Sequence, residues 1–478
     1  MATCFCRDRA QLPTACGDSQ ATMRGGREFA AQQNCVGGLA VCGSLKPAAN
    51  RDFVVNPFTI AVLNYPSGVQ SSGSFAYAFA TCRPGRRRPL RSAAHGRGER
   101  REGLMHKRLA FIDTLRGIAV LAVVVQHTLE VIVRDHPTGA YHAFLHEAIG
   151  YYMNFGRFGV VLFFFVSGFV IPFSFPASAS PVNDFAISRF FRLFPAYWTS
   201  IAIGLVTMQA VTSRTYPLSQ IAANLTMLQS FLEVPHLWDF YWTLTIELLF
   251  YLVCIILFAA GLLHRPLTAA AIVIATALVG MAVAVLVADR AAWVVMEVGL
   301  NLSAMFLGKI IRDTVIGGRL RWRHVAGCTT LYVLFAITLS SKRYGGIYQD
   351  DFFYSYSIGA AYVCAALVFI VFAAFGERMA WRPIAFVGVI SYSVYLMSPF
   401  AMDWIHHYAW PGDGPLAWFV FVAEVVTSSI LVSWMTYSLV EKPWISFAHS
   451  LHSDRKGDRA RASSRPTGCS AVIARHDA

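Results

Sequence analysis

The stretch from Arg108 to Glu130, RLAFIDTLRGIAVLAVVVQHTLE, is apolar enough to cross a bilayer, yet it carries Asp113, Arg116 and His127 inside the apolar run. A charge at the centre of a membrane helix costs roughly 2.5–3.5 kcal/mol on insertion scales, so groups kept there are functional candidates. On a helix, Arg116 and His127 stand about 20° apart in azimuth and ~16 Å apart along the axis. They share one face, which looks into a protein interior or a wet cavity. His127 titrates near neutrality and is the side chain of this span suited to take a proton from a hydroxyl. The alternative is a structural histidine bonded to a backbone carbonyl. Arg116 lies one turn from Asp113, and a local ion pair that makes the helix insertable explains it completely.

Three further groups could do chemistry. Glu247, in WTLTIELLF, is a carboxylate in apolar surroundings and needs a cation such as Arg116 or protonated His127 beside it. It suits holding His127 or an acceptor, and equally suits pairing with an arginine. Arg189 and Arg192 flank a Phe-Phe pair three residues apart, on one helix face. Guanidinium groups bind phosphates bidentately, but the same pair also reads as an ordinary membrane anchor. Gly159, Ser167 and Gly168 read as a surface for close helix packing rather than as a nucleophile, since Ser167 lacks a nucleophile-elbow context. His142 and His146 are one turn apart, a spacing a metal could use, but a solvated loop explains them as well and no metal is expected.

The elements that must position these groups are membrane helices. Of 478 residues, 56% are hydrophobic and 14% charged, too little polar surface for a soluble globule of this length. Spans are expected at about 109–133, 151–175, 186–211, 238–263, 267–288, 291–311, 324–341, 353–375, 384–407 and 416–440, with a shorter amphipathic piece at 218–232 along an interface. The fold class is therefore all-α, a polytopic bundle of about ten helices. The net charge of +13 sits at the ends: 16 Lys/Arg against 6 Asp/Glu in 1–108, 17 against 17 in 109–440, and 7 against 4 in 441–478. Basic flanks around a neutral apolar body favour termini beside anionic lipid and argue against nucleic-acid binding. The Lys/Arg bias of the short connections places both termini in the cytoplasm, His127 in the outer half of the first span and Arg116 toward the inner side.

Residues 1–104 show no helical or strand period and read as a disordered basic extension. Six of the ten cysteines fall there without a C-x-x-C pair, so neither a zinc site nor a disulfide framework is indicated. Met105 opens a short basic leader into the first span and would make a natural start. Residues 105–445 form the membrane domain, and 446–478 a basic cytoplasmic tail.

Six motifs occur in order: FIDTLRGIAVLAVVVQHTLE (111–130), FGVVLFFFVSGFVI (158–171), SRFFRLFPAYW (188–198), YWTLTIELLFY (241–251), ISYSVYLMSPF (390–400) and VEKPW (440–444). Together they resemble the membrane acyltransferase-3 family over nearly the whole membrane part. The resemblance implies an integral plasma (inner) membrane enzyme. It would transfer an acyl group, commonly acetyl from acetyl-CoA taken on the cytoplasmic face, to a hydroxyl of a surface polysaccharide, lipid-linked sugar or similar acceptor. It assigns catalysis to His127, Arg116 and Glu247, and donor binding to Arg189 and Arg192. Direct transfer with His127 as base and transfer through an acyl-histidine both remain open. Relatives usually carry a histidine after the Tyr-Leu pair of the ninth span, where this chain has Met397, so a mechanism needing that histidine is excluded here. The rival reading is a secondary transporter using Arg116, His127 and Glu247 as a relay, which internal symmetry would support, and none is visible. A third is a non-catalytic membrane partner that keeps the motifs for structure alone.

No span or motif precedes Met105, so a chain begun there is expected to insert and function like the full one. Normal membrane levels with lost activity would contradict this.

Overall fold

The computed structural model describes short strands between 21 and 41, helical backbone from Arg91, and side chains over 110–135, 141–287, 292–342 and 353–451 apart from 293 and 413. The chain divides into two units, Met1–Arg88 and Pro89–Ala478. In the first, β1 (Ala21–Met23) pairs antiparallel with β2 (Arg27–Phe29), and β3 (Asn34–Val36) with β4 (Leu39–Val41). These strands fall in the segment expected to lack regular structure. The rest of that segment before Arg91 lies outside the described residues, as does the tail after Leu451.

The second unit is helical. Its elements are α1 (Arg91–Asp135), α2 (Ala140–His146), α3 (Phe155–Val170), α4 (Pro181–Thr212), α5 (Leu218–Leu225), α6 (Trp242–Ala259) and α7 (Pro266–Leu286). They continue as α8 (Arg290–Val315), α9 (Trp322–Arg343), α10 (Ser355–Phe375), α11 (Arg382–Val389), α12 (Ser391–Tyr408) and α13 (Pro415–Thr436). A two-stranded hairpin, β5 (Ile347–Tyr348) with β6 (Phe353–Tyr354), separates α9 from α10. Basic residues 91–103, read as aperiodic, form the first turns of α1.

Among the described residues nine helices are long and apolar enough to cross a bilayer, and ten if the bent pair α11 and α12 counts as one span. Helices satisfy every backbone N–H and C=O within the segment, which is why long apolar runs without water take this form. The protein is a membrane protein.

Two of the expected spans need correction. The run at 384–407 is not one straight helix: α11 and α12 meet at Ile390 with a bend of 79°. Hydropathy is continuous across that point, so the break left no trace in composition. The last span does not end near 440 but runs through a π-helical turn at Tyr437–Glu441 to Leu451, so the expected tail begins on a helix. The piece at 218–232 forms α5 and a 3-10 turn at Gln229–Leu232, with Leu218, Phe231 and Leu232 exposed. Asn224 holds this loop: its Oδ1 accepts from the Leu237 N–H at 3.0 Å, and its Nδ2 donates to the Pro235 carbonyl at 3.1 Å.

α1 and α3 run at the centre. α1 packs along α3 and α11, while α3 also packs along α8 and α10. Small residues let backbones touch. A Cβ at Gly388 would collide with the Asp113 carbonyl and one at Gly117 with the Ile384 carbonyl, so α1 and α11 meet in both directions. Gly168 and Gly308 do the same for α3 and α8, against the carbonyls of Met305 and Phe165. Such close approach is the usual basis of helix association in lipid. It fixes the depth of Asp113 and Arg116 on one side and of Arg312 on the other.

Gly388→Val should push α11 off α1 and lower the melting temperature in detergent, with an overpacking cost of about 1–3 kcal/mol. An unchanged melting profile would show that the contact does not hold the pair together.

Candidate active site

Two cavities at opposite halves of α1 are lined by charged side chains. The first, about 790 Å³, is lined by Asp113, Arg116, Arg189, Arg192, Glu247 and Arg312 among apolar residues of α1, α3, α4 and α12. The second, about 560 Å³, is lined by His127, Glu130 and Arg134 of α1, by Arg157 of α3, and by Asp239 and Asp403.

In the first cavity each arginine is held differently. Arg116 lies 3.9 Å from Asp113 across one helical turn. The Arg189 guanidinium donates to the Ser174 hydroxyl and packs over the rings of Phe185 (5.2 Å) and Tyr251 (5.6 Å). Arg192 forms no ion pair or hydrogen bond among the described residues, though Glu441 and Glu247 act on it electrostatically. Arg312 donates to the Phe169 carbonyl at 2.8 Å and lies 4.2 Å from the Phe173 ring centroid. Glu247 accepts from the Tyr251 hydroxyl at 2.7 Å. Glu441, 2% exposed, accepts from Ser393 at 2.8 Å. Four guanidinium groups against two lining carboxylates leave the cavity cationic, a setting for a polyanion.

The second cavity is built around His127. Its side chain is 46% open, and the opening is the cavity itself. Nδ1 lies 3.2 Å from Glu130 Oε2, and Gln126 donates to Glu130 Oε1 at 2.8 Å. Gln126 is in turn fixed by accepting the Phe155 N–H at 2.9 Å. A carboxylate at Nδ1 favours the tautomer that carries its proton there, which leaves the lone pair on Nε2. Arg157 pairs with Glu297 at 2.6 Å and lies over the Trp242 ring at 5.0 Å. The position of α3 is set by Asn154, whose side chain caps it by accepting the Arg157 N–H at 2.7 Å.

Val160 and Tyr395 line both cavities and form the wall between them. The Tyr395 hydroxyl donates to the Phe240 carbonyl and accepts from Thr243, both at 2.8 Å, which ties α12 to the start of α6.

The structure thus brings Arg116, Arg189, Arg192 and Glu247 together and sets His127 apart from them. Glu247 does not reach His127, because five residues of α6 carry it from Trp242, in the His127 cavity, to the depth of the arginines. Sequence reasoning missed Glu130 as the partner of His127, although its i+3 spacing was visible, and gave Arg157 and Arg312 no role in a site. Ser167 lines the arginine cavity. His142 is occupied by the Val133 carbonyl at 3.1 Å and stacks on His146. Among the described residues no three His, Cys, Asp or Glu groups converge as a metal site would require. Outside the spans, His236 receives the Gln229 amide at 2.8 Å, and burial holds its pKa below the ordinary imidazole value.

No curated protein and no solved structure matches the chain. A family model described as an acyltransferase domain matches residues 109–438, which takes in α1 from its first apolar turn, both cavities and the end of α13. The chain belongs to the acyltransferase-3 family of membrane acyltransferases.

Proposed function

We propose that this acyltransferase moves an acetyl group from acetyl-CoA, bound by the arginine cavity, to a hydroxyl of a carbohydrate or glycosylated acceptor bound at His127. The observation that carries the reading is the pair of cavities meeting at Val160 and Tyr395, one cationic and one presenting a histidine with an oriented base nitrogen. A surplus of guanidinium groups suits the phosphates of CoA. The proposed placement follows the Lys/Arg bias of the connections: an inner, plasma membrane, both termini in the cytoplasm, the arginine cavity facing inward and His127 outward.

In the proposed reaction His127 Nε2 takes the acceptor hydroxyl proton as that oxygen attacks the thioester carbonyl. Glu130 stabilises the imidazolium that forms, because its carboxylate lies 3.2 Å from Nδ1. The carbon–sulfur bond then breaks, and the CoA thiolate leaves with the proton returned from His127. The thioester reaches His127 at the Val160 and Tyr395 wall, and the surrounding bundle keeps bulk water from the thioester. Arg116 and Glu247 act at the donor end, where they set the charge felt by the phosphates.

Mass spectrometry of surface glycans from cells lacking the chain, against cells carrying it, should show a lost acyl mass. An unchanged glycan profile together with no acetyl-CoA turnover by the purified protein would overturn the reading. His127→Ala should cut transfer by about 10²–10⁴-fold, the usual worth of a positioned base, with normal membrane levels. Glu130→Gln should cut it less and leave the donor KM unchanged. Retained activity in His127→Ala would remove it from the mechanism. Neutralising Arg189 and Arg192 together should raise the acetyl-CoA requirement about tenfold or more per arginine and the acceptor requirement far less. Normal donor binding in that variant would make both residues membrane anchors.

A further inference from the structure

The turn that ends α3 carries two guanidinium anchors on adjacent residues. Ser174 accepts from Arg189 of α4, and Phe173 lies under Arg312 of α8. Two arginines from helices far apart in sequence are therefore drawn to one edge of the cavity that both line. Each keeps donors to spare. Arg189 spends one Nη2 N–H on the Ser174 hydroxyl. Arg312 spends one N–H on the Phe169 carbonyl.

Asp313, next to Arg312 on α8, acts on it electrostatically but forms no ion pair with it. Asp313 is held at 2.6 Å by Lys309, one turn earlier on α8, and the two side chains are 2% and 0% exposed. No carboxylate lies within 4.0 Å of the Arg312 guanidinium among the described residues. A buried ion pair inside a membrane helix contributes little net stability against an apolar pair of the same volume. Its effect here is to set a countercharge against Asp313, whose field acts on Arg312.

We propose that Arg312 and Arg189 form a paired guanidinium clamp for a phosphate group of the acyl donor, and that Lys309 is a positioning residue that keeps Arg312 available by sequestering Asp313. The proposal rests on the reading of this cavity as the CoA site, and it adds Arg312 to the donor-binding residues. Two planar forks on one edge match the several oxygens of a phosphate, whereas the acetyl and pantetheine parts offer no charge for them to hold.

The test compares equilibrium binding of acetyl-CoA and of S-acetylpantetheine, which lacks every phosphate, to the full chain in detergent. Arg312→Met should weaken acetyl-CoA binding about tenfold or more and leave S-acetylpantetheine binding unchanged. Lys309→Met should reproduce much of that loss with Arg312 intact, because the uncompensated charge of Asp313 then offsets that of Arg312. The double variant Lys309→Met with Asp313→Leu should recover acetyl-CoA binding, an outcome a merely structural ion pair does not give. Equal weakening of both ligands by Arg312→Met, or a double variant no better than Lys309→Met, overturns the proposal. If Arg189→Met and Arg192→Met reduce the preference for acetyl-CoA while Arg312→Met does not, only the clamp fails. If the unaltered protein binds both ligands equally, the CoA reading of the cavity fails with it.

Discussion

Everything in this bundle depends on how four guanidinium groups, which cannot lose their charge, are kept inside an apolar medium. Each is stabilised by a different local arrangement: Asp113 across one turn for Arg116, the Ser174 hydroxyl and two rings for Arg189, the Phe169 carbonyl and Phe173 for Arg312, and the fields of Glu441 and Glu247 for Arg192. None of these neutralises the cavity, so it retains a surplus of positive charge that a bound anion would relieve. The glycine contacts serve the same end. Where α1 meets α11 and α3 meets α8 without intervening side chains, the arginine-bearing turns are held at fixed depth.

His127 obeys a different constraint. It is placed not by a countercharge from across the bundle but by its own helix, through Glu130 and Gln126, and the chain of bonds ends on the first backbone amide of α3. The histidine is thereby oriented before any substrate arrives. Among the described residues the two centres share only the wall of Val160 and Tyr395, so their chemistries stay separate until a ligand spans it.

Much of this was legible in the residues. The bilayer demands about twenty apolar residues per helical crossing, and that demand wrote the positions of the spans into the sequence. The same cost made Arg116, His127 and Glu247 conspicuous. What composition does not carry is depth and partnership. Glu247 suited either His127 or an arginine as its partner, and only the course of α6 sets it among the arginines. Composition gave Glu130 no role, and the bend at Ile390, which turns Ser391 and Tyr392 into the arginine cavity, interrupts no hydrophobic pattern. Lys309 and Arg312 stand three residues apart near a helix end, and their positions alone do not show that one is fully buried and the other lines the cavity.

The central claim, that the two cavities open to opposite sides of the membrane and that the cationic one holds the donor, is tested most directly by single cysteines at Ser167 and Ser398 in a cysteine-free background. A membrane-impermeant thiol reagent should label Ser167→Cys only from the cytoplasmic side and Ser398→Cys only from the other, and acetyl-CoA should protect the first and not the second. Labelling of both from one side, or protection of Ser398→Cys alone, would contradict the account.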